Sequence, residues 1–383
     1  MAAILQDRRE SGKSVTGDRT AVVIGAGLAG AAAAWQLAEC GYTVRVYERS
    51  DVVGGHVRTE WVGNIPYEPH GAHIFHTGDE QVWRLVNKLA DFAPYRHRVA
   101  IRMRHRLIAW PVQIAELMTL ADAEEISRQL QARPPQPDET NFETYCVSLL
   151  GQTVYDECVR DYTRKQWACD PSSLSASVAK GRVEIRDDGY LDLFRDPYQG
   201  WPRKGYAALV EELLAEAHVH LGSQVTVDDI PSIAQPGEPV IVTSALDDFF
   251  AEPGALPWRG VRLECTRIPD VTLAQPAMVV NEPSADVPWT RTIETKWALD
   301  ELHTVPGTIV MREFPGADAK HYPVLDAADA NKAAQRQFLQ RLAAFTRNRL
   351  IPAGRLATYS YINMDVAIRQ GLDAARSVTE CQP

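Results

Sequence analysis

A glycine-rich turn near the start of the chain, with the acid that follows it, has the types and spacing of a dinucleotide-binding site. The turn reads G-x-G-x-x-G through Gly25, Gly27 and Gly30. Glycines allow backbone N–H groups and a helix N-terminus to approach a pyrophosphate closely. Glu48 follows Gly30 by 18 residues, where a carboxylate can accept hydrogen bonds from a ribose diol. Gly54 and Gly55 then predict a second close approach of backbone to a diphosphate.

Three histidines, His70, His73 and His76, recur at every third position. Regularly spaced imidazoles could bind a metal ion, but these alternate with Gly, Ile and Phe, and no neighbouring acid is evident that would orient metal-bound rings. We therefore predict no metal site. Histidines that are buried, or that form part of the wall of a cofactor site, fit this tract better.

The elements that must position these residues alternate between strand and helix. Residues 20 to 47 run from a β-branched strand through the glycine turn and an alanine-rich helix to a second strand, which is a βαβ unit of a parallel sheet. Residues 79 to 180 have mostly helical periodicity, after which α/β alternation returns. Short β-rich runs between residues 255 and 325 predict an antiparallel sheet.

The composition of the 383-residue chain argues against several classes of protein. The formal net charge of −10 disfavours nonspecific binding to nucleic acid, so an anionic ligand needs local arginines. No run approaches the roughly 20 apolar residues of a membrane-spanning helix, and the first residues lack the apolar core of an export signal. The six cysteines have no C-x-x-C spacing, as is typical of a reducing compartment. We therefore expect a cytoplasmic protein without nucleic-acid or membrane partners.

Six short sequence blocks occur in order along the chain. They are YEPHGAHIFHTGDEQVW at 67–83, YTRKQW at 162–167, YQGWP at 198–202, VPWTR at 287–291, YPV at 322–324 and GRLATYSY at 354–361. In this order they resemble the UDP-galactopyranose mutase family, and ordered blocks are more specific than a single glycine motif. The resemblance implies FAD as the cofactor, active when reduced. The glycine pair after Glu48 is similar to that of flavoprotein oxidases and mutases.

The patterns and the resemblance together predict an α/β fold with a discontinuous Rossmann-like FAD-binding domain, an inserted helical domain and an antiparallel β-sheet domain. We expect residues 1–19 to be a disordered extension. The predicted domains are residues 20–78, 201–250 and 340–383 for FAD binding, 79–200 for the helical domain with a mobile substrate loop, and 251–339 for the antiparallel sheet.

The resemblance also implies roles for individual residues. Arg186 and Arg291 match arginines that clamp a substrate diphosphate, a task that suits a guanidinium because it binds phosphate oxygens bidentately and stays charged. The other implied catalytic residues are His76 and Tyr361. The implied substrate-binding residues are Tyr162, Trp167, Tyr198, Asn281, Tyr322 and Asn363. Besides Glu48 and the glycines named above, the implied cofactor-binding residues are His73, Gly354, Arg355 and Met364.

The implied reaction interconverts the pyranose and furanose forms of a nucleoside-diphosphate hexose, namely UDP-galactose or a related UDP or dTDP sugar. N5 of the reduced flavin attacks the anomeric carbon, the nucleoside diphosphate leaves, and the sugar ring opens and recloses through a different hydroxyl. The protein's share is orientation and electrostatic stabilisation. NAD(P)H or a reductase is the expected source of electrons, and the family suggests a homodimer.

Two other functions are compatible with the same fold. A flavin amine oxidase or desaturase would transfer hydride in an apolar tunnel without the two arginines, and a flavin-binding relic would have no activity. Asn363 motivates the relic, because the family usually carries aspartate there. Leu325 and Ser244 also replace a usual asparagine and glycine. These departures leave open another substrate, such as a deoxy, amino or dTDP-linked hexose.

Overall fold

The structure is a computed structural model that describes residues 19–316 and 319–380. The predicted N-terminal extension, residues 1–19, lies outside the described residues apart from Arg19. The strands in chain order are β1 (Thr20–Ile24), β2 (Thr43–Tyr47), β3 (Glu60–Val62), β4 (Ile65–Tyr67), β5 (Phe75–Thr77), β6 (Phe92–Ala93), β7 (Val99–Met103), β8 (Arg106–Trp110), β9 (Val112–Gln113), β10 (Ile185–Arg186), β11 (Tyr198–Pro202), β12 (His218–His220), β13 (Val240–Val242), β14 (Trp258–Ile268), β15 (Val279–Asn281), β16 (Arg291–Ile293), β17 (Thr308–Gly316), β18 (Tyr322–Pro323) and β19 (Leu350–Pro352). The α-helices are α1 (Leu28–Glu39), α2 (Glu80–Leu89), α3 (Ile114–Leu117), α4 (Ala123–Gln131), α5 (Phe142–Leu150), α6 (Gln152–Tyr155), α7 (Asp161–Trp167), α8 (Gly205–Leu213), α9 (Ile230–Ile233), α10 (Leu246–Phe249), α11 (Ala330–Ala343), α12 (Gly354–Thr358) and α13 (Met364–Glu380).

A five-stranded parallel sheet carries the glycine-rich turn. Its strand order is β12-β2-β1-β13-β19, and every neighbouring pair is parallel. The central strands β1 and β13 are runs of buried apolar side chains, as expected for a parallel sheet that is covered on both faces. The sheet is assembled from separated parts of the chain, which confirms the predicted α/β class with a discontinuous Rossmann-like sheet.

Helix α1 packs against both the sheet and α13. Its first five alanines are buried, and a Cβ atom on Gly371 of α13 would lie 2.1 Å from the carbonyl oxygen of Ala29. Small residues on both helices therefore allow their backbones to approach closely. The alanine-rich sequence after the glycine turn serves this contact as well as helix formation.

The second large sheet has seven strands in the order β18-β14-β17-β16-β15-β7-β8. Strands β14 to β17 supply its antiparallel part, in the region where the sequence predicted one. The inclusion of β7 and β8 was not predicted, because they lie inside the segment 79–200 that was expected to be a separate helical domain. Strand β7 pairs in parallel with β15, and its residues Val99, Ile101 and Met103 are buried in alternation. The helical insertion therefore also contributes strands to the sheet.

Helices α4 to α7 lie between residues 123 and 167, with a non-helical connection at residues 132–141. A π-helix, Asp156–Arg160, joins α6 to α7. Such widened turns occur frequently at functional sites, and α7 carries the YTRKQW block. No helix in the described parts of the chain combines the length and the apolar run that crossing a bilayer requires.

Candidate active site

The glycine-rich turn follows β1 and shapes a cleft beside the parallel sheet. Gly25 has a φ of +101°, and a Cβ atom there would lie 2.3 Å from Oγ1 of Thr243. A Cβ atom on Gly30 would lie 2.0 Å from the carbonyl oxygen of Gly25, so this glycine keeps α1 close to the strand. A Cβ atom on Gly27 would face open space, with only the Cα atom of Gly55 nearby at 3.9 Å. Gly27 thus leaves room that a ligand phosphate can fill.

A second turn lies against the first. The N–H group of Gly54 donates to the carbonyl oxygen of Ala26 at 2.9 Å, and Gly54 pairs with Gly27 in an isolated parallel bridge. Helix α1 begins directly after Gly27, which has no side chain to cap it. The first-turn N–H groups of α1 are therefore available to a bound anion, and the cradle fits the diphosphate of a dinucleotide.

Glu48 follows β2 and is 6% exposed. Its Oε2 atom accepts the N–H of Ala26 and its Oε1 atom accepts the N–H of Ser50, both at 2.8 Å. Each carboxylate oxygen can accept a further hydrogen bond. The carboxylate lines the cleft, so it is held in place and still able to bind a ribose diol.

The C-terminal part of the chain closes the far side of the cleft. Gly354 has a φ of +82°, and a Cβ atom there would lie 2.7 Å from Cβ of Ala29. Arg355 lines the cleft and donates to the carbonyl oxygens of His321 and Ile362, while burial lowers its pKa. Met364, the first residue of α13, also lines the cleft. This wall carries a guanidinium and the positive end of a helix dipole.

Four histidines line the cleft. The rings of His56 and His321 stack with 4.2 Å between their centroids, and His70 lies 5.6 Å from His321. Burial lowers the pKa of all four, to about 3 for His73 and His321, so the rings are uncharged at neutral pH. Sequence reasoning missed His56 and His321, although each directly adjoins a recognised motif.

Glu68 is the acid that sequence reasoning did not find beside these histidines. It is fully buried, its Oε2 atom accepts the backbone N–H of His73 at 2.8 Å, and its Oε1 atom lies 3.8 Å from Nδ1 of the same residue. One histidine–acid pair does not make a metal site. Within residues 19–316 and 319–380, no cluster of three or more His, Cys, Asp or Glu side chains is arranged to hold a metal ion.

His76 does not line the cleft, although the family resemblance implied a catalytic role for it. Its Nδ1 atom lies 2.7 Å from Oδ2 of Asp196, and its ring stacks on Phe194 with 3.5 Å between centroids. The pairing of β5 with β11 explains this position, because it sets His76 opposite Gln199 and next to the loop that carries both partners.

A second cavity, of about 340 Å³, lies over one face of the seven-stranded sheet. Arg291, Asn281 and Ile101 stand side by side on β16, β15 and β7. Val279 and Val99 form the next row on the same face, two residues away along each strand. The floor of this cavity therefore passes from a polar, positively charged row to an apolar one.

Arg291 is held by one carboxylate. Its Nε atom donates to Oε1 of the buried Glu313 at 2.8 Å, and in the described residues no protein acceptor binds its two terminal nitrogens. Burial opposes the charge of Arg291, but the Glu313 carboxylate outweighs it and holds the pKa well above its usual value. The free end of the guanidinium is therefore charged, oriented and available to an anion.

Aromatic side chains form another wall of the cavity. Tyr162, Trp167 and Tyr361 line the cavity, and the ring of Tyr361 meets those of Trp167 and Tyr322 edge-on at 5.9 and 5.3 Å. Burial raises the pKa of Tyr162 to about 12, so its hydroxyl keeps its proton and can donate. The guanidinium carbon of Arg355, which also lines the cleft, lies 5.4 Å from the ring centre of Tyr322.

Tyr198 lies outside both spaces. Its ring stacks on Trp83 of α2, with 5.5 Å between centroids and planes 17° apart, and it lines neither the cleft nor the cavity. This differs from the expected contact with substrate. The antiparallel pairing of β11 with β5 places Tyr198 opposite Thr77, on the side where α2 packs.

Arg186 is also placed differently from the expectation. It is 3% exposed in β10, and it does not line the cavity. Its guanidinium donates to the carboxylate of Glu184 and to the carbonyl oxygens of Tyr190, Asp192 and Leu193. Buried carbonyl groups need hydrogen-bond donors, and the Arg186 guanidinium donates to three carbonyl oxygens. To bind a diphosphate, Arg186 would have to break these three hydrogen bonds.

Arg182 is an arginine of the cavity that sequence reasoning missed. Its guanidinium carbon lies 3.7 Å from the ring centre of Tyr361, and the side chain lines the cavity together with Arg291. Its terminal nitrogens donate to the carbonyl oxygens of Lys180 and Tyr361 at 3.4 and 3.5 Å. Arg182 precedes Arg186 by four residues, and spacing along the sequence does not show which of the two arginines lines the cavity.

Lys165 holds the loop that leads to Arg291. Its Nζ atom donates to the carbonyl oxygens of Glu282, Ser284 and Trp289 at 2.7, 2.7 and 2.8 Å. Burial lowers the pKa of Lys165 to about 8, so the ammonium form still dominates at neutral pH. The lysine of the YTRKQW block thus fixes the chain just before β16.

Asn363, directly before α13, lines both the cleft and the cavity. The two spaces therefore share a wall. A cofactor in the cleft and a ligand in the cavity would meet at this residue.

Comparison with known proteins assigns the family. A family model described as UDP-galactopyranose mutase matches residues 157–361, more than half of the chain. The chain belongs to the UDP-galactopyranose mutase family. A dTDP-fucopyranose mutase of Escherichia coli is 31% identical to it, over 93% of this chain and 97% of the relative. A probable UDP-galactopyranose mutase of Klebsiella pneumoniae is 29% identical over 94% of both chains.

Two further matches concern the fold of this family member. A model described as an NAD(P)-binding Rossmann-like domain matches residues 23–89, the segment of the glycine-rich turn. The crystal structure of a reduced UDP-galactopyranose mutase has a TM-score of 0.77 over 96% of both chains at 17% identity, which shows a shared fold. The predicted family, fold and isomerase class are confirmed.

Proposed function

We propose that this chain interconverts the pyranose and furanose forms of a nucleoside-diphosphate hexose, with reduced FAD as its cofactor. The observation that best supports this proposal is the wall that the cleft and the cavity share at Asn363. Because of that wall, a ligand whose phosphates meet Arg291 can place its sugar next to a cofactor in the cleft.

FAD fits the cleft by the chemistry of the residues present. Gly27 leaves space for a phosphate at the start of α1, and Glu48 offers lone pairs to a ribose. Arg355 and the N-terminus of α13 favour an anionic, reduced isoalloxazine. When bound and reduced, the flavin would supply the nucleophile that the isomerisation needs.

The side chains of the cavity would bind the substrate and stabilise the charge that develops on it. Arg291 and Arg182 hold the diphosphate, and they stabilise the negative charge as the bond between the sugar and the diphosphate breaks. Tyr162 and Tyr361 add hydroxyl donors, and Trp167 excludes water. Arg186 has a supporting role, because it holds the loop at residues 190–193 that follows it.

The sugar nucleotide is UDP-galactose or a related UDP- or dTDP-linked hexose. One relative of this chain is named for a UDP sugar and another for a dTDP-linked fucose. Asn363 offers a neutral amide at the junction, and the row of Val279 and Val99 suits an apolar group. We propose NAD(P)H or a reductase as the electron source and a homodimer as the assembly.

The test is anaerobic incubation of the purified protein with UDP-, dTDP- and GDP-hexopyranoses, with and without dithionite, followed by chromatography for furanose products. We expect conversion only in the reduced samples. The matched control is the same protein without dithionite, with its flavin still bound and oxidised. Reduction of the flavin by an added amine or alcohol, without any furanose product, would instead indicate an oxidase.

A further inference from the structure

The proposed reaction makes no use of a buried acid–imidazole pair in the wall of the cofactor cleft, Glu68 and His73. Glu68 is fully buried, while the His73 side chain keeps 16% exposure and lines the cleft. The two residues lie on the turn that Gly71 makes with a φ of +105°. They are held from both ends, because Oε2 of Glu68 accepts the N–H of His73 and the hydroxyl of Tyr206 donates to the carbonyl oxygen of His73 at 3.1 Å.

Two atoms of this pair face each other without a partner. Oε1 of Glu68 and Nδ1 of His73 are 3.8 Å apart, and neither has a hydrogen-bond partner in the described residues. A buried polar atom without a partner costs free energy, and two bare acceptors would also repel each other. A proton on one of the two atoms removes the repulsion, and a shift of about 0.8 Å would bring them within hydrogen-bond range.

The surroundings decide which of the two residues carries that proton. Burial raises the pKa of Glu68 well above its usual value, and burial together with Arg355, His321 and His70 lowers the pKa of His73 to about 3. Tyr206 keeps its proton as well, because burial raises its pKa. Both members of the pair are therefore uncharged, with the extra proton on the carboxyl group.

We propose that Glu68 is a positioning residue: as a neutral carboxylic acid it donates from Oε1 to Nδ1 of His73, and so fixes the tautomer that carries its proton on Nε2. Since Nδ1 is buried, Nε2 is the nitrogen at the exposed edge of the ring. The cleft thereby receives a permanent neutral N–H donor. The tautomer does not depend on the proposed function, and only its use toward an anionic reduced flavin rests on it.

The direct test is ¹⁵N NMR of the protein labelled at its 10 histidines, with His73→Gln to assign the His73 signals. Between pH 6 and pH 8 we expect a bare Nδ1 and a protonated Nε2 on His73, in the wild type and in Glu68→Gln alike. The glutamine amide can still donate to Nδ1 while its oxygen accepts the His73 N–H. A proton on Nδ1, or an imidazolium, in the wild type would overturn the proposal.

The equilibrium constant for flavin reduction is a second measurement, and it would not change if Glu68 had only a structural role. Glu68→Gln should leave the equilibrium constant for flavin reduction within about twofold of wild type, whereas Glu68→Leu should lower it on the order of tenfold through loss of the oriented donor. A tenfold change in Glu68→Gln would mean that Glu68 is ionised and would contradict the proposal. A protein that binds no flavin would refute the proposed function, while the NMR result would still decide the state of Glu68.

Discussion

The glycine-rich cleft and the cavity over the seven-stranded sheet are formed by different parts of the polypeptide. The cleft is shaped by backbone, through glycines whose missing side chains permit close contacts and through the first turns of α1 and α13. The cavity is shaped by side chains that converge from several helices, strands and loops. A site formed by backbone can be predicted from a short sequence pattern. A site formed by side chains cannot, because the role of each side chain depends on the residues that the fold places next to it.

The arginines show this difference most clearly. The family resemblance singled out both Arg186 and Arg291, but buried carbonyl groups occupy the first, and one carboxylate orients the second while leaving its outer nitrogens free. Arg182 lies within the cavity although the resemblance did not single it out. Spacing alone does not separate a binding arginine from a structural one.

The largest effect should come from Arg291→Ala. Loss of the oriented guanidinium should reduce kcat by on the order of 10²–10³-fold, as removal of a donor to developing negative charge does in other enzymes. FAD content, measured by absorbance, should not change, because Arg291 does not line the cleft. Arg291→Lys is the matched control, because lysine keeps the positive charge but cannot donate two parallel hydrogen bonds. Near-normal turnover in the alanine variant would show that Arg291 does not bind the substrate diphosphate.

A pair of glycine substitutions should separate packing from binding within the cleft. Gly30→Ala brings a Cβ atom against the Gly25 carbonyl oxygen and should lower the free energy of unfolding by about 1–3 kcal/mol. Gly27→Ala meets open space, so it should leave the stability of the flavin-free protein unchanged and weaken FAD binding. Thermal unfolding and FAD titration of both variants provide the measurements. Equal loss of stability in the two variants would contradict the distinction.

Glu68 should make stability depend on pH. Its pKa in the folded state lies above the unfolded value of 4.5, so its contribution to stability is fully present below pH 4.5 and is lost as the pH rises toward the folded pKa. Over that window the wild type should lose at most about 1.4 kcal/mol per pH unit relative to Glu68→Gln. Chemical unfolding of both proteins at several pH values measures this difference. Parallel profiles would indicate an ionised Glu68.

The smallest effect should come from Asn363→Asp at the shared wall. The side chain is exposed, so a new charge there should change relative rates among sugar nucleotides by no more than roughly fivefold, equal to about 1 kcal/mol. We expect the change to favour UDP-galactose over deoxy and dTDP-linked sugars. Asn363→Ala, which adds no charge, is the control. Identical substrate ratios in all three proteins would show that Asn363 does not select the sugar.

Local patterns predicted the parallel sheet because its βαβ unit is continuous in sequence and each element has its own periodicity. They did not predict that β7 joins the distant β15, since a short alternating stretch between helices does not reveal its partner. Glu68 was overlooked for a similar reason. It lies five positions before His73, and the left-handed turn at Gly71 lies between the two residues.

The order of strands in the parallel sheet has a consequence for biosynthesis. β1 begins at Thr20, but its sheet is completed by β19 at Leu350–Pro352, and the cleft is closed by residues 354 to 367. A ribosome must therefore translate more than 300 intervening residues before the cofactor can meet all of its contacts. We therefore expect flavin binding to be a late event, and a nascent chain stalled before residue 354 should emerge without flavin.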